Sequence, residues 1–219
     1  MKTHRIVCSL LVAVLAMFAA MPLSAAESEW KTLFDGNSLA GWNNGSGQPP
    51  AKNWVIKDGA MIREKGGGDV WTNERYGDFV LELEYRTEGN SGIFIRTDKP
   101  GDCVQTGLEI QVDVPARSPS KHSTGALYDA QAPTKIADKP KGEWNRVVIT
   151  AKGGKLNVEL NGEKIIDADL DQWTKPHQNP DGSQNKFDKA LKDFSREGYI
   201  GFQDHGNVVA YRNVRLRPL

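Results

Sequence analysis

Two dipeptides, Asp58-Gly59 and Asn161-Gly162, each separate a pair of short runs rich in strand-forming residues, and this placement restricts the fold more than any other feature. Asp-Gly and Asn-Gly accept the positive φ that two-residue hairpin turns demand. Asn53 to Lys57 is therefore expected to pair with Ala60 to Glu64, and Lys155 to Leu160 with Glu163 to Ala168. Between these hairpins Phe79, Leu81, Leu83 and Tyr85 alternate with Glu82, Glu84 and Arg86, the period of a half-buried strand. Similar runs occur at Gly92 to Arg96, Gly107 to Val114, Trp144 to Thr150, Tyr199 to Asp204 and Ala210 to Leu216. About a dozen strands without alternating helical stretches predict an all-β domain, two packed antiparallel sheets of jelly-roll or lectin-like type. The rhythm breaks from Leu170 to Glu197, a long insertion with Pro176, His177 and Pro180, in which Lys186 to Phe194 reads as a short helix. A connection of that length is more often a functional rim than a structural link.

Composition excludes several classes. Of 219 residues 38% are hydrophobic and 26% charged, which fits a globular domain and not a collagen, a coiled coil or a disordered chain. Lys and Arg together number 28, as do Asp and Glu, and no basic stripe is visible, so a nucleic-acid partner has no electrostatic support. At the start, Lys2 and Arg5 precede an apolar run from Ile6 to Ala20 and then Ser24, Ala25 and Ala26, the pattern of a secretory signal peptide over residues 1–26, cleaved before Glu27. The run is shorter than the roughly 20 residues that span a bilayer. An exported protein, periplasmic or secreted, with no membrane partner in its mature form is expected. The mature domain, 27–219, keeps a single thiol, Cys103, and so no internal disulfide.

Alternation also sorts the side chains that carry chemistry. In Gly107 to Val114, Leu108, Ile110 and Val112 share one face, leaving Glu109, Gln111 and Asp113 on the other. Ile200 and Phe202 likewise take the core side, which puts Gln203 and His205 opposite, and Phe94 and Arg96 are expected to do the same beside Ile93 and Ile95. If these strands share one sheet, a carboxylate, an amide, an imidazole and a guanidinium converge on a groove. Lys121 and His122 are candidates for its rim, and Trp71 and Trp173, near loops, for its sugar-stacking surface.

Along the same stretches the chain resembles a known family. Leu33-Phe34-Asp35-Gly36, Gly41-Trp42, Asn90-Ser91-Gly92-Ile93-Phe94-Ile95-Arg96, Glu109-Ile110-Gln111-Val112-Asp113, Thr124-Gly125-Ala126-Leu127-Tyr128, Gly142-Glu143-Trp144-Asn145 and Gly198-Tyr199-Ile200-Gly201-Phe202-Gln203-Asp204-His205-Gly206 are similar, in order, to the 3-keto-disaccharide hydrolase domain family. The resemblance spans Trp30 to Leu219. It implies a concanavalin-like sandwich with a carbohydrate groove and cleavage of glycosides already oxidised to a ketone at C3. Such a ketone acidifies the C2 hydrogen and sets the anomeric substituent up for β-elimination, after which water adds to the alkene. His205 is then a candidate general base or acid, with Glu109 or Asp113 orienting it or taking the base role. Arg96 and Gln111 would donate to the developing enolate oxygen, and Gln203, Lys121, His122 and Trp71 would contact substrate.

Three other readings stand beside this one. A retaining glycosidase would pair Glu109 with Asp113, whose Cα atoms four strand steps apart lie about 13 Å from each other, whereas that mechanism wants carboxyl groups about 5 to 5.5 Å apart. A carbohydrate-binding module would need aromatic platforms and no acid or base. A divalent cation held by Glu109, Asp113, Asp204 and His205 has suitable ligand types but no tight ligand spacing, so no cofactor is expected.

Overall fold

The structure is a computed structural model that describes residues 29–219. The signal peptide assigned to 1–26 lies outside the described residues. Among the described residues there are thirteen strands: β1 Lys31–Phe34, β2 Trp42–Asn43, β3 Trp54–Lys57, β4 Ala60–Arg63, β5 Val70–Tyr76, β6 Phe79–Thr87, β7 Ser91–Thr97, β8 Leu108–Val112, β9 Asn145–Lys152, β10 Lys155–Leu160, β11 Glu163–Asp169, β12 Gly198–Phe202 and β13 Val209–Pro218. They form two antiparallel sheets. The larger runs β11-β10-β9-β6-β13-β4-β3, with β1 also on β13, and the smaller runs β2-β5-β12-β7-β8.

Both dipeptides turn as expected. Asp58 and Asn161 each have φ of 53°, followed by glycines at 73° and 86°, and the flanking pairs Lys57 with Ala60 and Leu160 with Glu163 close two-residue hairpins. The apolar alternates of β6, β9, β8, β7 and β12 face inward, so Leu81, Leu83, Ile149, Ile110, Val112, Ile93 and Phe202 make one continuous core between the sheets. That burial is the main stabilising term of the domain. Cys103 is a free thiol.

Above this core the smaller sheet is tied to the larger one by a polar link. Tyr211 of β13 stacks on Phe202 with ring centroids 3.9 Å apart, and its hydroxyl lies 2.8 Å from Ser91 Oγ, which in turn donates to the Gln203 carbonyl. The segment that follows β12 is held on its inner side as well. Asp204, whose side chain is 6% exposed, pairs with Arg63 and accepts hydrogen bonds from Gly68 N and Asn53 Nδ2. The segment after β12 is thereby fixed by ring packing, an ion pair and hydrogen bonds.

The insertion differs from expectation. Lys186 to Phe194 is not an α-helix; it carries only a 3-10 turn at Leu191–Asp193, and another turn spans Leu170–Gln172. The carbonyls that a helix would use for its first intrahelical bonds are taken by other donors, Lys186 O by Gln105 Nε2 and Phe187 O by His177 N. A one-turn helix, α1 Cys103–Thr106, lies outside the insertion, where none is expected.

Candidate active site

Two neighbouring rows of residues cross the outer face of the smaller sheet. Trp71 pairs with Gly201, Gly201 with Phe94 and Phe94 with Glu109, giving an aromatic row that ends in a carboxylate. One step along, Gly92 pairs with Gln111, and continuing the register of Phe202 with Val70 and Ile93 sets Gln203 opposite Asp69 and Gly92. A glycine opens each row. A side chain on Gly201 would collide with the Trp71 ring, which lies across that position and stacks on Phe94 at 5.3 Å. A side chain on Gly92 would collide with the Glu109 carboxylate, which leans over it toward Gln203. These vacancies let a large ring and a carboxylate lie flat on the sheet.

Glu109 is only 7% exposed. Burial, reinforced by the charge of Asp69, pushes its carboxyl up to about 7, against the opposing pull of Lys186 and a hydrogen bond from Gln203. Lys186 Nζ lies 3.8 Å from Glu109 Oε2 and 4.0 Å from the centre of the Tyr128 ring; burial lowers its own pKa. Tyr128 N donates to the Glu109 carbonyl, and His122 packs against the tyrosine, with ring centroids 4.9 Å apart and its Nε2 3.1 Å from Asp129 Oδ1. Across the face, burial also raises the pKa of Asp69, and its carboxylate accepts from Asp204 N. His205 is exposed and close enough for its charge to act on Asp69.

Two acceptors on this face have no partner. Gln111, 2% exposed, donates to Asn90 Oδ1 through Nε2 while its Oε1 is buried and unbonded. Gln203 Oε1 is in the same condition. A buried acceptor without a donor is costly, by about 1 to 3 kcal/mol, and a hydroxyl-rich ligand would supply the donors. Cys103 is near enough to be influenced by Glu109 and Asp69, but burial holds its thiol up at about 11, so it stays protonated and is no nucleophile at neutral pH.

Of the residues singled out from the sequence, Glu109, Gln111 and Gln203 come together on this face, with His205 beside Asp69 and His122 against Tyr128. Others do not. Arg96 is 1% exposed and buried at the end of the sandwich, where it donates to the Gly77 and Gly153 carbonyls and pairs with Asp78. Its φ of 50° marks a bulge opposite the register shift in β12, and this breaks the alternation that would have turned it to the groove. Asp113 lies past the end of β8, where its carboxylate accepts from Val114 N and its backbone is bridged by Thr124 Oγ1; it is occupied in a turn. Lys121 donates to the Gln184 carbonyl and so braces the insertion. Trp71 and Trp173 are both buried. Trp71 nonetheless forms one wall of a cavity of about 670 Å³ with Asn43, Asn73, Lys99 and Tyr199. Asp204 is engaged by Arg63, and among the described residues no group of three His, Cys, Asp or Glu side chains is placed to hold a metal ion.

Sequence reasoning missed Asp69, Lys186 and Tyr128. Asp69 ends the Gly66-Gly67-Gly68 loop rather than a strand, so no alternation marks it. Lys186 lies in the insertion, whose length was its only signal.

Residues 29–217 match the 3-keto-alpha-glucoside-1,2-lyase-like domain. The chain belongs to this family. A 3-keto-disaccharide hydrolase from Bacteroides thetaiotaomicron is 30% identical over 226 residues, covering 86% of this chain and 78% of that protein. Among solved structures, a Parabacteroides distasonis protein assigned as a glycosyl hydrolase has a TM-score of 0.79 at 30% identity, covering 87% of this chain and all of that one. A β-1,3-1,4-glucanase from a mouse hindgut metagenome, at 10% identity and a TM-score of 0.51 over 88% of this chain and 100% of that one, shares the fold alone. The sandwich is thus a jelly roll, as the strand rhythm predicts, of the concanavalin-like form that the resemblance implies.

Proposed function

We propose that this protein cleaves glycosides that carry a ketone at C3, by elimination and then hydration. Glu109 takes the proton from C2, the bonding pair moves to form the enolate at C3, and the enolate returns its electrons to expel the C1 oxygen. The departing oxygen is protonated by one of the rim imidazoles, His122 or His205. Water then adds its hydroxyl to C1 and a proton to C2, giving the free 3-keto sugar. The amide oxygens of Gln111 and Gln203 accept hydrogen bonds from the sugar's hydroxyls.

The observation that carries this reading is the buried Glu109 carboxylate laid over Gly92, where burial raises its pKa to about 7. A base is most effective when its pKa is close to the working pH, and a C2 hydrogen beside a ketone is acidic enough for it. The family match and the hydrolase relative support the same substrate class. The retaining glycosidase reading loses support because Asp113 is held in its own turn.

Purified protein incubated with a 3-keto glucoside and with its unoxidised parent should release sugar from the first only. In deuterated water the product should carry deuterium at C2 beyond that from spontaneous exchange. Cleavage of both substrates, with C2 unlabelled, would instead point to displacement at C1.

A further inference from the structure

Lys186 is held in place more firmly than an exposed loop lysine. Its amide donates to Asp129 Oδ2 at 2.7 Å and its carbonyl accepts from Gln105 Nε2 at 3.0 Å, so the backbone on both sides of the side chain is fixed. The ammonium is laid over the Tyr128 ring, 4.0 Å from its centre, and 3.8 Å from Glu109 Oε2. Both distances exceed a hydrogen bond, and the ammonium donates none to any described residue. A half-desolvated cation with its donors free, beside a buried carboxylate, is placed to meet a group that the protein itself does not provide.

The elimination chemistry has such a group. The C2 hydrogen and the C3 oxygen are on adjacent carbons, so a base on one and a donor on the other must lie within a few ångströms of each other, each about 3 Å from its target. Glu109 and Lys186 have that separation. Arg96, the only other cation proposed for this duty, is buried and engaged elsewhere by Gly77, Gly153 and Asp78. We propose that Lys186, delivered by the insertion, is a catalytic residue that donates a hydrogen bond to the substrate's C3 oxygen and stabilises the enolate formed when Glu109 removes the C2 proton; this rests on the elimination reading above. No bond to Lys186 forms or breaks, and its proton remains on nitrogen at the end of the step. Tyr128 confines the ammonium by a cation–π contact, and the insertion thereby becomes part of the catalytic machinery.

The test compares wild type, Lys186→Met and Lys186→Arg on an aryl 3-keto glucoside, following aryl release and C2 deuteration, with thermal melts to confirm folding. Lys186→Met should lower kcat about 10²- to 10³-fold with KM within a few-fold of wild type, and both readouts should fall together. Lys186→Arg should retain more activity, since it keeps the charge but not the geometry. Lys186→Gln serves the same comparison should the Met variant not fold. A Met or Gln variant within three-fold of wild type in kcat, or one changed only in KM, would overturn the proposal while leaving the elimination reading intact. Wild type inactive on the 3-keto substrate would overturn both. Borohydride quenching of wild type with substrate should leave the protein mass unchanged; a sugar adduct on Lys186 would show an imine, and would sink the hydrogen-bonding role.

Discussion

The outer faces of the two sheets begin from the same sequence pattern and end in opposite environments. On the larger sheet the polar alternates of β6, β9 and β13 form a surface network, in which Glu82 receives both Arg146 and Arg215, and Glu84 receives Arg212 and Asn213. Those groups stay in contact with water and find partners among themselves. On the smaller sheet the polar alternates of β8 are covered: every residue of Leu108–Val112 is buried, and Gln111 keeps an unbonded oxygen. Surface ion pairs are worth little because water screens them, whereas a covered carboxylate has its proton affinity shifted by the loss of water. The difference shows that the environment of a face is set by what is laid over it, here the 121–129 loop and the insertion.

The strongest way to break this comparison is to remove one carboxylate from each face. Glu109→Gln should lower turnover of a 3-keto glycoside by about 10² to 10⁴, while Glu82→Gln should leave turnover unchanged; equal rates for both variants would dismiss Glu109 as the base. Stability separates the two sides of β8 itself. Ile110→Ala should cost about 2 to 5 kcal/mol by denaturant unfolding as a truncation in the inter-sheet core, and a loss below about 1 kcal/mol would mean that the strand does not pack as described.

Acidity sharpens the contrast. If Glu109 acts as a base, kcat/KM should rise with pH through an acid limb near 7, and Lys186→Met should move that limb upward, because Lys186 opposes the rise of the Glu109 pKa; the residual activity of the variant suffices to measure it. Asp69, also raised by burial, faces the same carboxylate and pushes the limb the same way as burial does. Folding should respond with the opposite sign. A carboxyl whose folded pKa stands at about 7, above its ordinary 4.5, stabilises the fold below the ordinary value and progressively loses that contribution as pH rises toward 7. Glu109→Gln should therefore flatten the pH dependence of melting between those limits. The smallest effect belongs to the larger sheet, where Glu82→Gln should change stability by no more than about 1 kcal/mol, read by urea titration.

Most of the architecture was legible because it follows from local rules. The positive φ at Asp58 and Asn161 and the strict alternation of Phe79 to Tyr85 need no tertiary information. The two residues that close β2 and the seven of β5 went unseen, since Thr72, Asn73, Glu74 and Arg75 do not alternate with apolar partners. In the site, alternation put Glu109 and Gln111 on the right face but could not show that loops bury them. It failed at Arg96, where a bulge inverts the side chain, and at Asp113, where the strand has already ended. Lys186 and Asp69 belong to segments without a period, and their places depend on hydrogen bonds between residues far apart in the chain.

The insertion is pinned at both its inner and outer edges. Asn179 alone receives hydrogen bonds from Trp173 Nε1 and Asn185 Nδ2 and donates to the Asp129 carbonyl, and Lys121 ties down Gln184. A segment fastened at so many points behaves as masonry and not as a door. Lifting it would break several hydrogen bonds at once, so its amides should exchange hydrogen slowly, as those of the strands beneath it do.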